Sequence, residues 1–345
     1  MQREIEREME LLDAKGRIVE EGWARKPLWR YRRASIAGSA LRIKEWDYYY
    51  LFFDGGRRGL TFTLSDLGFA GMFAIGWFEF DRGFYRQKDE TTLLPLGGTG
   101  FPEDPASGSV FYEGKGISIW VSSGEGLRRV RAEAPGLEGS EGKSGLSADI
   151  SFAAPETEDS MNIATSWKER RTAFYYNRKI NCMRASGTVR LGGKAWKLDP
   201  ARDSGGLDWG RGLWTYKNRW YWSSASGFLP EGAFGWNLGY GFSDRSSATE
   251  NAIFLNGHAH KLGEVEFHYD PSDYLKQWRI TSDDGRFEAA FEPLLDRKSD
   301  TNLLLIRSAQ HQVFGKFTGR AMLDDGTPIK FKNFPGFAED VYNRW

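Results

Sequence analysis

An all-β protein made of two antiparallel β-barrel-like domains is what this sequence predicts. Three observations carry that expectation: hairpin turns flanked by period-two alternation, a surplus of glycine and aromatic residues, and the lack of any long amphipathic helical pattern. Glycine accounts for 41 of 345 residues and aromatics for 15%. Aromatic side chains favour pleated, half-buried surfaces, and glycines permit tight turns and close approach of sheets. The length suits about two domains, each able to bury a core without disulfides or metal.

Taken along the chain, Arg3 to Leu12 is the one stretch with a helical look, and its few apolar residues make it equally a frayed end. Asp54-Gly55-Gly56, Gly192-Gly193, Asn256-Gly257, Asp284-Gly285 and Asp325-Gly326 are hairpin turns. Trp278, Ile280 and Ser282 alternate into the fourth of these, and Phe317, Gly319, Ala321 and Leu323 into the fifth. Between Phe69 and Phe80 both alternation sets are apolar, as in a barrel-wall strand that something else covers. The stretches Gly97 to Gly108 and Pro135 to Gly145 read as long loops. Asp199-Pro200 and Gly205-Gly206 interrupt the strand pattern, which places the division between domains 1–195 and 196–345.

Lys plus Arg and Asp plus Glu both number 47, so no cationic surplus points to a nucleic-acid partner. Cys182 is the single cysteine, which excludes an internal disulfide framework and a dithiol redox pair. The opening MQREIEREMELL carries charges where a secretory signal needs apolar residues, and the longest uncharged apolar run, Phe69 to Phe78, is about half of a membrane span. A cytoplasmic protein without a membrane span is expected. No fingerprint of a cofactor or metal site is present, and none is expected. GLEGSEGKSG lacks the first glycine of a phosphate loop, since Leu137 stands there.

The densest aromatic region runs from Leu207 to Gly227 and contains Trp209, Trp214, Trp220 and Trp222. On a strand Trp220 and Trp222 share a face. From Phe234 to Ser243, Phe234, Trp236, Leu238, Tyr240 and Phe242 share one face, while the other carries Gly235, Asn237, Gly239 and Gly241. A face so bare is either packed against another backbone or left open for a ligand, with Asn237 as its polar handle. Asp208 beside Trp209 is a carboxylate among indoles, where poor hydration favours the neutral acid and so a proton donor. Arg211, three residues on, is its alternative partner in a structural ion pair. His258 and His260 follow a turn without a third ligand at metal spacing, and read as an exposed hairpin tip. His311 reads first as a satisfied interior histidine, with catalysis the alternative. Glu339 and Arg344-Trp345 read as a clasp on the last strand.

KEWDYYY, DWGRG with WYW, NLGYGF, ENAI, HKL, HQVFG and GFAE…RW, in that order, resemble the family known as domain of unknown function 2804 across nearly the whole chain. That family resembles in turn the carotenoid hydratase and AttH-like group. The resemblance implies two packed lipocalin-like β-barrels and a chemistry that protonates an isolated double bond. In that group the second barrel opens on Asp-His-x-Trp-Gly; Asp208-Trp209-Gly210 is similar, without the histidine and spacer. These motifs complete the candidate set: Asp208 as catalytic acid, and Trp209, Arg211, Trp214, Trp220, Trp222, Asn237, Tyr240, Asn251, His311 and Gln312 around the ligand. The expected function is a hydratase or isomerase acting on an apolar terpenoid or lipid-like molecule, or else a carrier or sensor of such a ligand. A structural protein with filled barrels is the third possibility.

Overall fold

Dipeptides such as Asn256-Gly257 and Gly192-Gly193 turn a chain back on itself because both residues accept positive φ. Here those angles are 50° and 80°, and 58° and 84°. Each of the five expected turns joins two neighbouring antiparallel strands. The computed structural model describes residues 2–303 and 306–345, and the strands form two large curled antiparallel sheets.

In space the first sheet runs Phe84–Leu93, Ala70–Glu79, Arg58–Asp66, Ile43–Phe53, Ser204–Leu213, Arg170–Leu191, Ser144–Ala153, Leu127–Glu138, Ser118–Gly124, Gly108–Glu113. Its two ends meet through side chains. The Tyr112 ring stacks on Phe73 with centroids 3.7 Å apart, and its hydroxyl donates to Glu90 at 2.8 Å. The second sheet runs His258–Lys261, Ala252–Leu255, Gly232–Tyr240, Lys217–Leu229, Pro328–Arg344, Ile306–Met322, Phe287–Leu303, Trp278–Ser282, Val265–His268. The protein is therefore all-β, with two barrel-like units as expected.

Alternation gives a strand one face toward its own barrel; on the strands between the barrels the other face meets the neighbour, and on strands such as Leu127–Glu138 it meets solvent. In the second barrel Phe234, Trp236 and Leu238 point inward, and the fully buried Trp236 ring lies 5.0–5.6 Å from Phe287, Phe317, Phe331 and Phe334. That interior is packed with rings. Between the barrels, Tyr48, Tyr50, Phe52, Phe78 and Phe80 of the first sheet meet Trp222, Phe314 and Phe337 of the second. Phe78 and Phe314 come within 4.4 Å. The second barrel is thus the cover that the doubly apolar stretch Phe69 to Phe80 called for, although Met72 stays exposed.

Three expectations change. Ser204–Leu213 pairs with Ile43–Phe53 and Arg170–Leu191, so the sheets change over at residues 214–216, beyond the expected 195. The glycines that broke the pattern lie inside a strand: a β-carbon at Gly206 would strike the Tyr50 ring, and one at Gly205 the Tyr50 carbonyl and the Phe152 ring. The segment Arg3 to Leu12 is extended rather than helical. Ile5 and Leu11 reach the first core from it, while Met9–Glu10 pairs with Trp29–Arg30. Pro135 to Glu138 continues a strand, which leaves only the turn at 139–143 as loop. Among the described residues no helix is long and apolar enough to cross a membrane.

Candidate functional site

Three neighbouring strands of the first sheet set out a polar row facing the second barrel. Tyr175, Asn177 and Lys179 alternate on one, Asp208 stands opposite Lys179 on the next, and Tyr48 opposite Asp208 on the third. Lys179 Nζ is 2.9 Å from Asp208, 3.9 Å from Glu250, and 4.0 Å above the Trp222 ring. Asn177 donates to Asp208 Oδ1 at 2.5 Å, and the Tyr175 hydroxyl to Glu250 at 3.4 Å. Both Asp208 and Lys179 are buried.

The second sheet completes the cluster. Trp222 Nε1 donates to Asn237 Oδ1 at 2.6 Å, and Asn237 Nδ2 donates to the Glu250 carbonyl at 2.8 Å. Glu339 accepts from Trp220 Nε1 at 2.7 Å and from Gln312 Nε2 at 3.0 Å. Gln312 in turn accepts from the Tyr48 hydroxyl at 3.1 Å, a bond across the barrel boundary. Burial pushes the Glu339 carboxyl up to about 7; Asp208 adds to this, while the Trp220 bond and Lys179 oppose it. Burial, with the charges of Glu250 and Asp208, holds the Tyr175 phenol well above its usual value.

Glycines shape this boundary. Trp46 lies flat across Gly210, and Trp214 Nε1 sits over Gly212, so the glycines of DWGRG make room for indoles. Trp46, Trp214, Trp220 and Phe242 then form a chain of edge-to-face contacts with centroids 4.7–5.8 Å apart. The bare face of Gly232–Tyr240 is likewise filled. A β-carbon at Gly235 would strike the Ala225 carbonyl and approach Cys182 Sγ to 2.8 Å, and one at Gly239 would strike the Glu250 carboxylate. Of the two readings of that face, close packing holds. Gly235→Leu is expected to cost about 1–3 kcal/mol or more by overpacking. Thermal or urea unfolding measures this, and an unchanged midpoint would mean open space there.

The expected site residues separate by strand parity. Asp208, Trp214, Trp220, Trp222, Asn237 and Gln312 are at the boundary between the barrels. Trp209 and Arg211 are not: they alternate with Asp208 and enter the first barrel, where Arg211 pairs with Asp47 at 3.1 Å and lies 4.1 Å from the Trp209 ring. The cation beside Asp208 is therefore Lys179, one strand away, and not Arg211. Tyr240 faces the interior of the second barrel, stacked on Tyr221 at 4.5 Å. His311 faces that way too, 2.8 Å from Asp296 and stacked on Tyr274. Asn251 braces backbone, accepting from Gly239 N and donating to the Gly263 carbonyl. His260 pairs with Asp324 at 3.2 Å. Among the described residues no group of three histidine, cysteine or acidic side chains could hold a metal.

Sequence reasoning missed Lys179, Glu250 and Glu339. Glu250 opens ENAI and Glu339 closes GFAE, so both were within quoted motifs, and Glu339 is a member of the polar cluster rather than a terminal clasp. Lys179 had the signal of alternation with Tyr175 and Asn177.

Two curled antiparallel sheets with a polar cluster buried between them define a two-barrel, lipocalin-like protein of AttH-like fold. The chain belongs to the family Domain of unknown function (DUF2804), whose model matches residues 2–345. Among solved structures, an AttH candidate from Nitrosomonas europaea is similar at 15% identity, with a TM-score of 0.52 over 89% of this chain and 94% of that one. Kievitone hydratase from Nectria haematococca is 12% identical, with a TM-score of 0.48 over 88% of each chain. A search of curated proteins by sequence found no match.

Proposed function

We propose that the cluster between the barrels is an acid–base site of the hydratase or isomerase type, acting on an apolar unsaturated small molecule. The observation that carries this reading is Glu339, a fully enclosed carboxyl whose protonation falls near neutral pH. An acid poised near the working pH is the effective proton donor. Asp208 is already engaged by Lys179 at 2.9 Å and by Asn177, whereas Glu339 has no cation at ion-pair distance among the described residues. Glu339 delivers its proton to one carbon of a double bond, and the neighbouring carbon becomes cationic beside the faces of Trp220 and Trp222. Water then adds to that carbon and gives up a proton to a carboxylate, or an adjacent C–H bond gives up its proton to form a shifted double bond.

Solvent extraction and native mass spectrometry of the protein as purified supply the ligand for the test. On that ligand Glu339→Gln is expected to retain binding while turnover falls by about 10²–10⁴-fold, the usual contribution of a general acid. Turnover within a few-fold of wild type would remove Glu339 as the donor. A carrier is the second reading, and the ion pair that engages Asp208 favours it. Bound ligand recovered unchanged after long incubation with wild type would establish it.

A further inference from the structure

The interior of the first barrel holds two arginines that nothing in the proposed site uses. Arg128 and Arg178 point inward from Leu127–Glu138 and Arg170–Leu191, and both are buried. Their guanidinium groups converge on one neutral atom, the carbonyl oxygen of Pro105, reached by Arg128 Nη2 and by Arg178 Nη1, the latter at 2.9 Å. Arg128 also donates to the Tyr49 and Ser123 hydroxyls, and Arg178 to Ser160 Oγ at 3.1 Å. Among the described residues neither has a carboxylate at ion-pair distance. Arg211, in the same interior, does have one, Asp47 at 3.1 Å. Asp104 acts on Arg178 only from further off, with its carboxylate turned to Ala106 N and Ser107 Oγ of its own loop.

A buried cation is normally matched by a buried anion, because carbonyl dipoles replace only part of the lost hydration. Two guanidiniums on one carbonyl also repel each other. Burial and that repulsion together bring the Arg178 guanidinium down to about 9. The fully buried Tyr176 hydroxyl, close enough to Arg178 to feel its charge, has no partner among the described residues. The segment 101–105 covers this interior with oxygens: the Pro102 carbonyl accepts from Arg211 at 3.2 Å, the Pro105 carbonyl accepts from the other two arginines, and Phe101 lies 4.8 Å from the Arg211 guanidinium. Beyond the arginines the wall is apolar, with Val130, Ile150, and Phe152 stacked on Tyr49.

We propose that the interior of the first barrel beneath segment 101–105 is a second ligand site, which takes an oxyanion, carboxylate or phosphate, carried on an apolar body. The anion lies between Arg128 and Arg178 with the Tyr49 and Tyr176 hydroxyls as further donors, and the Pro105 carbonyl gives way to it. Charge-assisted bonds to two guanidiniums are stronger than those to a neutral carbonyl. The segment stays tethered, since Asp66 accepts from Gly97 N at 2.8 Å and from Thr99 Oγ1 at 3.2 Å.

The test is calorimetric titration of the full chain with decanoate, decyl phosphate, decan-1-ol and inorganic phosphate. Decanoate or decyl phosphate is expected to bind, the tighter one naming the headgroup, with decanol weaker by about tenfold or more. Arg178→Met and Arg128→Met are each expected to lose about tenfold or more in affinity for that anion while leaving decanol unchanged. Hydrogen exchange on wild type needs no variant: at saturation the amides of Ala106 and Ser107 should exchange faster. Glu339→Gln should bind the same anion as wild type does, which keeps this site separate from the cluster between the barrels. The proposal is overturned if neither amphiphilic anion binds, if decanol binds as tightly, if both arginine variants bind like wild type, or if exchange in the segment does not change.

Discussion

Lys179→Met is expected to destabilise the protein by about 3–5 kcal/mol, the usual penalty for leaving a buried charge without its partner. Lys179 stands between Asp208 and Glu250, over the Trp222 ring, and only 6% of its side chain is exposed. Methionine preserves the volume and removes the cation, so two carboxylates then face one another across a boundary of indoles and tyrosines. Asp208→Asn in the same chain removes one of those charges, and the double variant should recover most of the loss. Urea unfolding of the two single variants and the double variant reads the coupling directly. A loss below about 1 kcal/mol for Lys179→Met would place the pair in the range of a solvated surface bridge and take the cluster out of the protein interior.

Period-two alternation, the turn dipeptides and the aromatic surplus were enough to read the all-β class and every one of the five hairpins, because these signals are local to a few residues. What parity could not show was which barrel each face would meet. Asp208 and Arg211 look like neighbours along the chain, yet an odd separation on a strand sends them to opposite sides of the sheet. The partner of Asp208 is 29 residues away on the adjacent strand, a ladder contact that depends on register and therefore on the whole sheet. Glu339 was visible as a residue and hidden as a site for the same reason. Its place in the cluster comes from Trp220 and Gln312 on two flanking strands, brought alongside it by the second sheet's pairing. The glycine-lined face is legible in the sequence, while what fills it is not: Cys182 comes from the first barrel, and the Ala225 carbonyl and Glu250 from the second barrel itself.

The buried carboxyl also makes stability depend on pH in a direction opposite to that of most acidic residues. Glu339 titrates near 7 in the folded protein and near 4.5 when unfolded, so between those values the native state holds a proton that the unfolded chain has lost. Its stabilising contribution is fully present below about pH 4.5 and disappears as pH rises through about 7. Across that window the change is on the order of 3 kcal/mol. Carboxylates held by arginine, such as Asp149 with Arg129, pull the other way, since their lowered values favour the native state as pH rises. The informative quantity is therefore the difference between wild type and Glu339→Gln, in which those shared contributions cancel. Glutamine keeps the size of the side chain and an oxygen to accept one of the two bonds, without a titrating proton. Urea midpoints taken at intervals from pH 4.5 to 7.5 should show wild type losing stability relative to the variant as pH increases. Parallel curves would mean that Glu339 titrates alike in both states, and with that both its enclosure and its role as proton donor would fall.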